Sequence, residues 1–572
     1  MDHDPTAGLR DLFEAVHGGE DDAVVRLLRA GVPAEATDTD GTTALYAAAV
    51  NDRPGAVRSL LAAGADPDRP CGPEGGDLPL CAAAVGGHTE VVRALLAAGA
   101  RPDLREDYGF TALTWAAGRG HAETVEELLT RGADPDLPGP GGESALVLAA
   151  RRGSPATVRA LLRHRAADRK AALAEARGWL ESDVEHTVRR RLQQMYRVRE
   201  GDAFAARSVV EEGGTTLVVE LLRDGIPVAS DEQQTAHAAV VTRLECVLGV
   251  HTPVAELAER AVRSGDPEGN DWREAVAALW QRADGETFRA AATWCAEAPT
   301  SSGFLHQTFA ADVLARVGTS GTAVPLLRSL ASREGPAHLT RAAVRALGRH
   351  GDAAGLPEVL GHAGHADAGI RERVARALGR LGLGEASTTA LITLARDGDL
   401  GVRGAAVEAL ARAALNGLTT DPVREALAAQ VGDGAPSGAR GTARPATTNP
   451  HMPGSGPRPG NGGRAGRGPA PQATAPTPWR DTERTDLAEA GAGAEPEASP
   501  TLPPLSPTHP AYAEAARGLA ACQDPRAATA LWRVLADGVP DSPAHRIARD
   551  ALALVQDETL RRRLEWTTPR LR

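Results

Sequence analysis

Several residue types are scarce in this 572-residue sequence, and each scarcity narrows the range of possible folds. Aromatic residues make up only 3% of the chain, which argues against a β-sandwich or a β-barrel. The five cysteines are scattered and form no Cys-x-x-Cys pair, so neither a zinc ribbon nor a disulfide framework is indicated. No apolar run is long enough to predict a membrane-spanning helix. The start, Met-Asp-His-Asp-Pro, does not resemble a signal peptide, and we expect a cytoplasmic protein.

The charged residues narrow the classes of binding partner, and the apolar residues narrow the fold class. Only Lys170 is a lysine among the 63 basic residues, and the net charge of the chain is −12. Such a charge disfavours general binding to nucleic acid or to an anionic membrane. The hydrophobic share of 42% is sufficient for a buried core and consists mainly of Ala, Leu and Val. Because these side chains suit closely packed helices, the composition predicts an all-α fold.

The first part of the chain contains an internal repeat that is marked by pairs of leucines. The pairs follow one another at 33 or 35 residues: Leu27-Leu28, Leu60-Leu61, Leu95-Leu96, Leu128-Leu129 and Leu161-Leu162. From the second pair onwards, a helix of small residues is predicted before each pair, as at 43–49. Gly87-His88 and Gly120-His121 fit the tight turn between two helices of a repeat, because glycine tolerates positive φ.

This pattern resembles the ankyrin repeat, with five repeats over about 7–167. The resemblance implies a solenoid of helix pairs that binds another protein. The Thr-Pro-Leu-His motif of the family is never complete, and its His position holds Tyr46, Cys81, Thr114 or Val147. We therefore expect a hydrogen-bond network between repeats to be missing. Two extra residues near 71–76 predict a longer finger loop in the third repeat.

The register of these repeats also predicts a partner-binding surface, because finger loops and first helices face the ligand in ankyrin-like arrays. The predicted residues are Thr39, Asp40, Thr42, Val50, Asn51, Asp77, Val85, Asp107, Tyr108, Phe110, Arg119, Glu143, Arg151 and Arg152. Tyr108 and Phe110 are the strongest candidates, since exposed aromatics at a loop tip are typical hot spots. Residues 1–167 hold 25 acidic and 16 basic side chains, so we expect a partner with a basic or neutral surface.

A second ladder of single leucines occupies the last part of the chain. Its members are Leu314, Leu347, Leu378, Leu410, Leu519 and Leu552. Asp367, Asp399 and Asp541 stand eleven residues before three of these leucines and are predicted to N-cap a helix. The pattern Asp-x-x-Val-Arg-x-x-Ala-x-x-Ala-Leu resembles the HEAT repeat. That resemblance implies stacked antiparallel helix pairs at about 303–433 and 508–556.

The long step between Leu410 and Leu519 coincides with a segment at 434–507 that is rich in Gly, Pro and Arg. We predict a disordered insertion between the two helices of one HEAT pair, with 508–572 forming the last helices and a C-terminal cap. The arginines at 440–480 could contact RNA or an acidic surface weakly, and 500–504 could form a polyproline II ligand. A passive, solvated linker is the simpler interpretation of both stretches.

Residues 168–302 show no clear repeat and are predicted to form an irregular, mainly helical connector. One long amphipathic helix is predicted over 177–195. Two β-favouring runs around Gly213-Gly214 predict a small β-hairpin near 206–229, after which helices resume from Gln234. Six aromatics cluster towards the end of this region: Trp272, Trp280, Phe288, Trp294, Phe304 and Phe309.

The aromatic cluster at 272–309 supplies the alternative to a binding function. It could line the pocket of an enzyme similar to HEAT-like DNA glycosylases or chromophore lyases, although rings that fill degenerate repeats are the simpler interpretation. The chain contains no P-loop, HExxH or GxSxG motif, and His362 and His365 have no third ligand nearby. No catalytic residue, metal or cofactor is therefore predicted. The sequence favours a protein-interaction scaffold or adaptor over an enzyme.

Overall fold

The computed structural model describes residues 5–72, 76–211, 214–432, 504–540 and 542–556, together with 558, 561, 562 and 564. The predicted insertion lies almost wholly outside these residues, and so does Asp541. The chain divides into two compact units, residues 1–413 and 414–572.

Five helix pairs form the first part of the larger unit. They are α1 (Pro5–Gly18) with α2 (Asp21–Arg29), α3 (Ala44–Val50) with α4 (Pro54–Ala62), α5 (Pro79–Gly86) with α6 (Thr89–Ala97), α7 (Ala112–Arg119) with α8 (Ala122–Thr130), and α9 (Ala145–Arg152) with α10 (Pro155–Arg163). The first helices pack side by side as an inner row, and the second helices pack as an outer row. Each pair thus consists of an inner helix followed by an outer helix.

The sequence pattern explains how the two rows adhere. Leu60, Leu95, Leu128 and Leu161, which are the first leucines of their pairs, are completely buried between the rows. Each such leucine stabilises the fold by roughly 2–3 kcal/mol through the apolar surface that it removes from water. Gly87 and Gly120 end α5 and α7 with φ of +71° and +84°, a conformation that favours glycine.

The connector extends the inner row instead of interrupting it. The helix α11 (Arg169–Leu180) packs on α9, and α13 (His237–Leu248) packs on α11. The predicted long helix over 177–195 is wrong, because α11 ends at Leu180 and α12 (Val184–Met195) starts anew. Asp183 causes this break, since its carboxylate accepts a hydrogen bond from the His186 backbone N–H and caps α12.

A three-stranded antiparallel sheet follows α12 and precedes α13 along the chain. Its strands are β1 (Ala203–Glu211), β2 (Gly214–Arg223) and β3 (Ile226–Gln234), with β2 in the centre. The predicted hairpin corresponds to β1 and β2, and β3 is an addition that the sequence analysis did not foresee. Val188 and Leu192 of α12 bury their side chains against Val219 of β2 and form a small core of their own.

Helix pairs follow to the end of the larger unit. Their helices are α14 (Val254–Val262), α15 (Asn270–Arg282), α16 (Gly285–Cys295), α17 (Ser301–Leu314), α18 (Ser320–Ala331), α19 (Ala337–His350), α20 (Leu356–Gly361), α21 (Ala368–Leu381), α22 (Glu385–Leu394) and α23 (Leu400–Leu415). The ladder leucines Leu314, Leu347 and Leu378 are buried, and α17, α19 and α21 pack side by side. Asp367 caps α21 as predicted, accepting from the Ile370 N–H at 2.9 Å.

The smaller unit contains α24 (Asp421–Val431), α25 (Pro510–Ala521), α26 (Arg526–Asp537) and α27 (Pro543–Ala551). The helix α25 packs on α24, and the Tyr512 hydroxyl donates to the Val431 carbonyl at 3.5 Å. The Leu505 N–H donates to the Gln430 carbonyl at 3.0 Å, so the described residues on either side of 433–503 lie next to each other. Among the described residues, no helix combines the length and the apolar character needed to cross a bilayer.

Candidate functional site

Finger loops project between the outer helix of one ankyrin-like pair and the inner helix of the next. Isolated β-bridges close them at their bases, joining Thr37 to Thr43, Cys71 to Asp77 and Arg105 to Thr111. In the third loop Gly109 has φ of +83°, and its N–H donates to the Glu106 carbonyl at 2.8 Å. This tight turn holds Tyr108 at the tip, where 65% of the residue's surface is exposed.

The other aromatic residues of this finger lie at its foot. Phe110 stacks on Trp115 of α7 with ring centroids 4.1 Å apart. The Trp115 Nε1–H donates to the Glu106 carboxylate at 2.6 Å, which fixes the indole ring. Burial raises the pKa of the Glu106 carboxyl above its ordinary value. Phe110 is thus half-buried and supports the finger, and Trp115 is a site residue that sequence reasoning missed.

The predicted partner-binding residues fall into three groups by exposure. The exposed group comprises Thr39, Asp40, Val50, Asn51, Asp107, Tyr108 and Arg119. The half-buried group comprises Thr42, Asp77, Val85, Phe110, Glu143 and Arg151, and only Arg152 is buried. We call the surface formed by the exposed group the ankyrin groove.

The last strand of the sheet closes the ankyrin groove beside α9. Arg152 is only 6% exposed, and its guanidinium donates to the Glu232 carboxylate at 2.6 Å and to the Glu232 carbonyl at 2.7 Å. Arg151 pairs with Glu143 and Glu175 at 3.0 and 2.9 Å. These arginines therefore hold the sheet and α11 against the repeats, and Arg152 is buried by its contacts.

Two further side chains cap the carbonyl end of α9. The Gln233 amide donates to the Arg151 and Arg152 carbonyls at 2.8 and 2.7 Å. The His237 Nε2–H donates to the Arg151 carbonyl at 3.1 Å, and its ring stacks on Trp179. Burial lowers the pKa of His237 to about 4, so the ring is neutral near pH 7.

A pocket of about 220 Å³ lies where the sheet meets the inner helices. Phe110, Trp115 and Arg119 line it from α7 and its finger, and Asp231 and Gln233 line it from β3. It combines an aromatic floor with polar walls, which is the composition of a pocket that receives an anchoring side chain.

Hydrogen bonds between repeats are present, although the family motif is incomplete. The His88 and His121 rings donate to the Val50 and Val85 carbonyls of the preceding inner helices at 3.1 and 3.0 Å. The Tyr46 hydroxyl donates to the Asp77 carboxylate of the next finger at 3.3 Å. The expected loss of a network is therefore offset by Tyr46, which occupies the His position of the motif, and by histidines that stand elsewhere in the repeat.

Two of the six aromatic residues at 272–309 lie in the core, and the other four are half-buried. Trp272 and Phe309 are 1% and 0% exposed and meet edge to face at 5.2 Å between centroids. The Trp272 Nε1–H donates to the Asp312 carboxylate at 2.9 Å, and that carboxylate also accepts from Arg345 at 2.5 Å. The pocket beside it has a volume of about 230 Å³. The buried Asp312 carboxylate beside this pocket thus already accepts hydrogen bonds from two donors.

The two candidate metal-binding histidines have structural partners. The His362 Nε2–H donates to the Ala331 carbonyl at 2.8 Å, and His365 Nδ1 accepts from the Asp367 N–H at 2.9 Å. Within the described part of the chain, one group of three potential ligands comes close together, formed by His251, Asp284 and Glu286. All three are exposed, and Asp284 is engaged as the N-cap of α16.

The paired rows of helices and the groove along them define a helical-repeat protein of the solenoid class. A family model for three copies of the ankyrin repeat matches residues 69–139, and a model for a single ankyrin repeat matches residues 40–71. A model for HEAT repeats matches residues 324–411. The chain therefore carries ankyrin repeats followed by HEAT repeats, which confirms the two resemblances. A comparison with curated proteins gives no match.

Proposed function

We propose that the chain is an interaction scaffold that binds another protein in the ankyrin groove. Repeats of both kinds are generally elements of protein interaction, and the groove supplies a specific anchor. The observation that carries the proposal is Tyr108, a large exposed aromatic held at the tip of a rigid finger. Aromatic residues of this kind contribute much binding energy because they bury a large area at a low entropic cost.

The charge around the groove indicates the kind of partner. Asp40 and Asp107 are exposed at two finger tips, and Glu232 stands at the β3 wall with its side chain partly accessible. Residues 1–167 carry a net charge of −9. A partner with a basic or neutral surface fits best, and its association should slow as salt rises. We place this interaction in the cytoplasm, where the five free cysteines would stay reduced.

A catalytic alternative has less support. The pocket near Trp272 is small, and its carboxylate at Asp312 is held by Arg345 and by the Trp272 indole. A general acid or base needs a carboxyl or imidazole that can reach a substrate. The geometry of the aromatic cluster therefore favours a structural role for these rings.

The test is the affinity of the groove for its partner. The partner would be recovered by affinity purification, identified by mass spectrometry and purified. We expect Tyr108→Ala to weaken binding by about 2 kcal/mol, roughly a 30-fold rise in Kd. Combining it with Phe110→Ala should weaken binding further, because the finger then loses its stack on Trp115. Arg58→Ala on the exposed side of α4 is the matched control, and equal affinity of all variants would refute the groove.

A further inference from the structure

Three arginines of the HEAT region stand at the same place in successive repeats. Arg316, Arg349 and Arg380 each follow a ladder leucine, namely Leu314, Leu347 and Leu378, by two residues. All three are exposed, and within the described residues none of them forms an ion pair. We call these three residues the arginine stripe. In a chain of net charge −12, such a group of unpaired cations needs an explanation.

Trp280 of α15 fixes one end of the arginine stripe. The guanidinium carbons of Arg316 and Arg349 lie 4.4 and 4.9 Å from the centroid of its ring. The Trp280 Nε1–H donates to the Asp312 and Val313 carbonyls at 2.9 and 3.1 Å, which holds the indole in place. Two cations are thus drawn to one aromatic ring and kept close together.

Nearby carboxylates do not neutralise the stripe. Asp312 is buried and forms an ion pair with Arg345, and the Glu268 carboxylate also lies 3.9 Å from the Arg345 guanidinium. Burial and the neighbouring positive charges of Arg316 and Arg380 lower the pKa of Arg349. The positive potential of the stripe is therefore available to a ligand.

We propose that the arginine stripe binds an extended acidic segment of a protein partner. Arg349 and Arg380 lie on α19 and α21, and Arg316 follows the end of α17. These three helices are packed neighbours, and neighbouring helices lie about 8–10 Å apart. Three residues make one turn of an extended polyproline II segment and cover about 9 Å, so every third side chain lies on the same face. Such a segment with Asp or Glu at every third position therefore offers one carboxylate to each arginine. The pocket of about 230 Å³ beside Trp280 can receive a side chain that lies between them.

An acidic peptide fits this surface better than nucleic acid does. Affinity for a phosphate backbone comes from many cationic contacts, whereas the stripe offers three and has Glu268 beside it. This surface lies outside the ankyrin groove, so either proposal can be refuted without affecting the other.

The experiment uses the full chain and a fluorescein-labelled dodecapeptide with Glu at every third position and Ser and Gly between. Binding is measured by fluorescence anisotropy at low salt, with a peptide that has Gln at the same positions as reference. We expect the Glu peptide to bind and the Gln peptide not to bind. Replacing the stripe (Arg316→Gln, Arg349→Gln, Arg380→Gln) should weaken binding about tenfold or more.

A matched control removes the same charge elsewhere. Arg29→Gln, Arg58→Gln and Arg289→Gln replace exposed arginines of α2, α4 and α16 and should leave the affinity unchanged. Exchanging the stripe for lysine keeps the charge and should retain most of the binding, even where the Gln variant folds poorly. Failure of the wild type to bind the Glu peptide, equal binding of the Gln peptide, an equal loss in the control, or tighter binding of a single-stranded DNA dodecamer would each overturn the proposal.

Discussion

The buried imidazole of His237 links the stability of the ankyrin repeats to pH. It caps the Arg151 carbonyl at the end of α9, stacks on Trp179 and is only 3% exposed. Its pKa in the fold is about 4, against 6.5 for a free imidazole. The folded state therefore binds fewer protons than the unfolded state between these values, and stability falls as the pH drops through this window.

The magnitude follows from the difference between the two pKa values. At about 1.4 kcal/mol for each pH unit, protonation of His237 removes about 3 kcal/mol between pH 7 and pH 4. Asp271 acts in the opposite direction, because burial raises its pKa to about 6 while its carboxylate accepts from the Ala239 N–H at 2.7 Å. A comparison of wild type with His237→Gln separates the imidazole from this carboxyl.

Hydrogen–deuterium exchange, corrected for the intrinsic effect of pH, measures this stability locally. We expect the peptides that contain α9 and α13 to lose protection in the wild type as the pH falls from 7 to 4. In His237→Gln the loss should be smaller, because no imidazole has to be charged. His186→Gln, which changes an exposed histidine of α12, is the control and should behave as wild type. An identical pH dependence in wild type and His237→Gln would refute the reasoning.

Three further predictions concern the HEAT repeats and can be checked by denaturant or thermal unfolding followed by circular dichroism. Asp367→Ala removes both the cap on the Ile370 N–H and the ion pair with Arg341, and it should cost about 1–2 kcal/mol. Asp367→Asn keeps the cap and should cost less, so equal losses would contradict this account. Replacing 434–503 by a short Gly/Ser linker should leave α24 and α25 folded and stabilise them by roughly 1–3 kcal/mol, because their connected ends are adjacent. Residues 508–572 expressed alone should show no cooperative melt, and a cooperative monomeric transition would contradict the insertion.

The helical repeats could be predicted because their signal recurs along the chain. One buried leucine such as Leu95 is ambiguous, but five pairs at nearly equal spacing identify a solenoid. The cap at Asp367 could be predicted for the same reason, since a short polar side chain eleven residues before a ladder leucine recurs at Asp399. At these positions the local residue type and its recurrence along the chain predict the same structure.

The third strand and the closed end of the groove were harder to foresee. The run Asp231-Glu232-Gln233-Gln234 has no β-favouring pattern, and it forms a strand because it pairs with β2 and binds Arg152, eighty residues away in sequence. One local signal was present. Asp224-Gly225 adopts positive φ of 52° and 77°, as in the two-residue turns that such pairs favour between antiparallel strands.

The ankyrin groove itself was only partly visible in the sequence. The repeat register predicts which positions face a partner, and Tyr108 is exposed at its predicted place. The register does not predict which residues from outside the repeats contact those positions. Arg151 and Arg152 are engaged by Glu175 and Glu232, which come from the connector and not from the repeats.

The most direct measurement of the central claim is site-specific photo-crosslinking through the ankyrin groove. A photoreactive phenylalanine analogue would replace Tyr108 at the finger tip, or Arg58 on the exposed side of α4 as a control, in the full chain within cells that express it. Adducts would be identified by mass spectrometry, and the purified partner would then be tested against Tyr108→Ala. We predict that position 108 yields an adduct with one protein and position 58 does not, and that Tyr108→Ala weakens its binding. Identical adducts at both positions, or adducts with nucleic acid alone, would contradict the account.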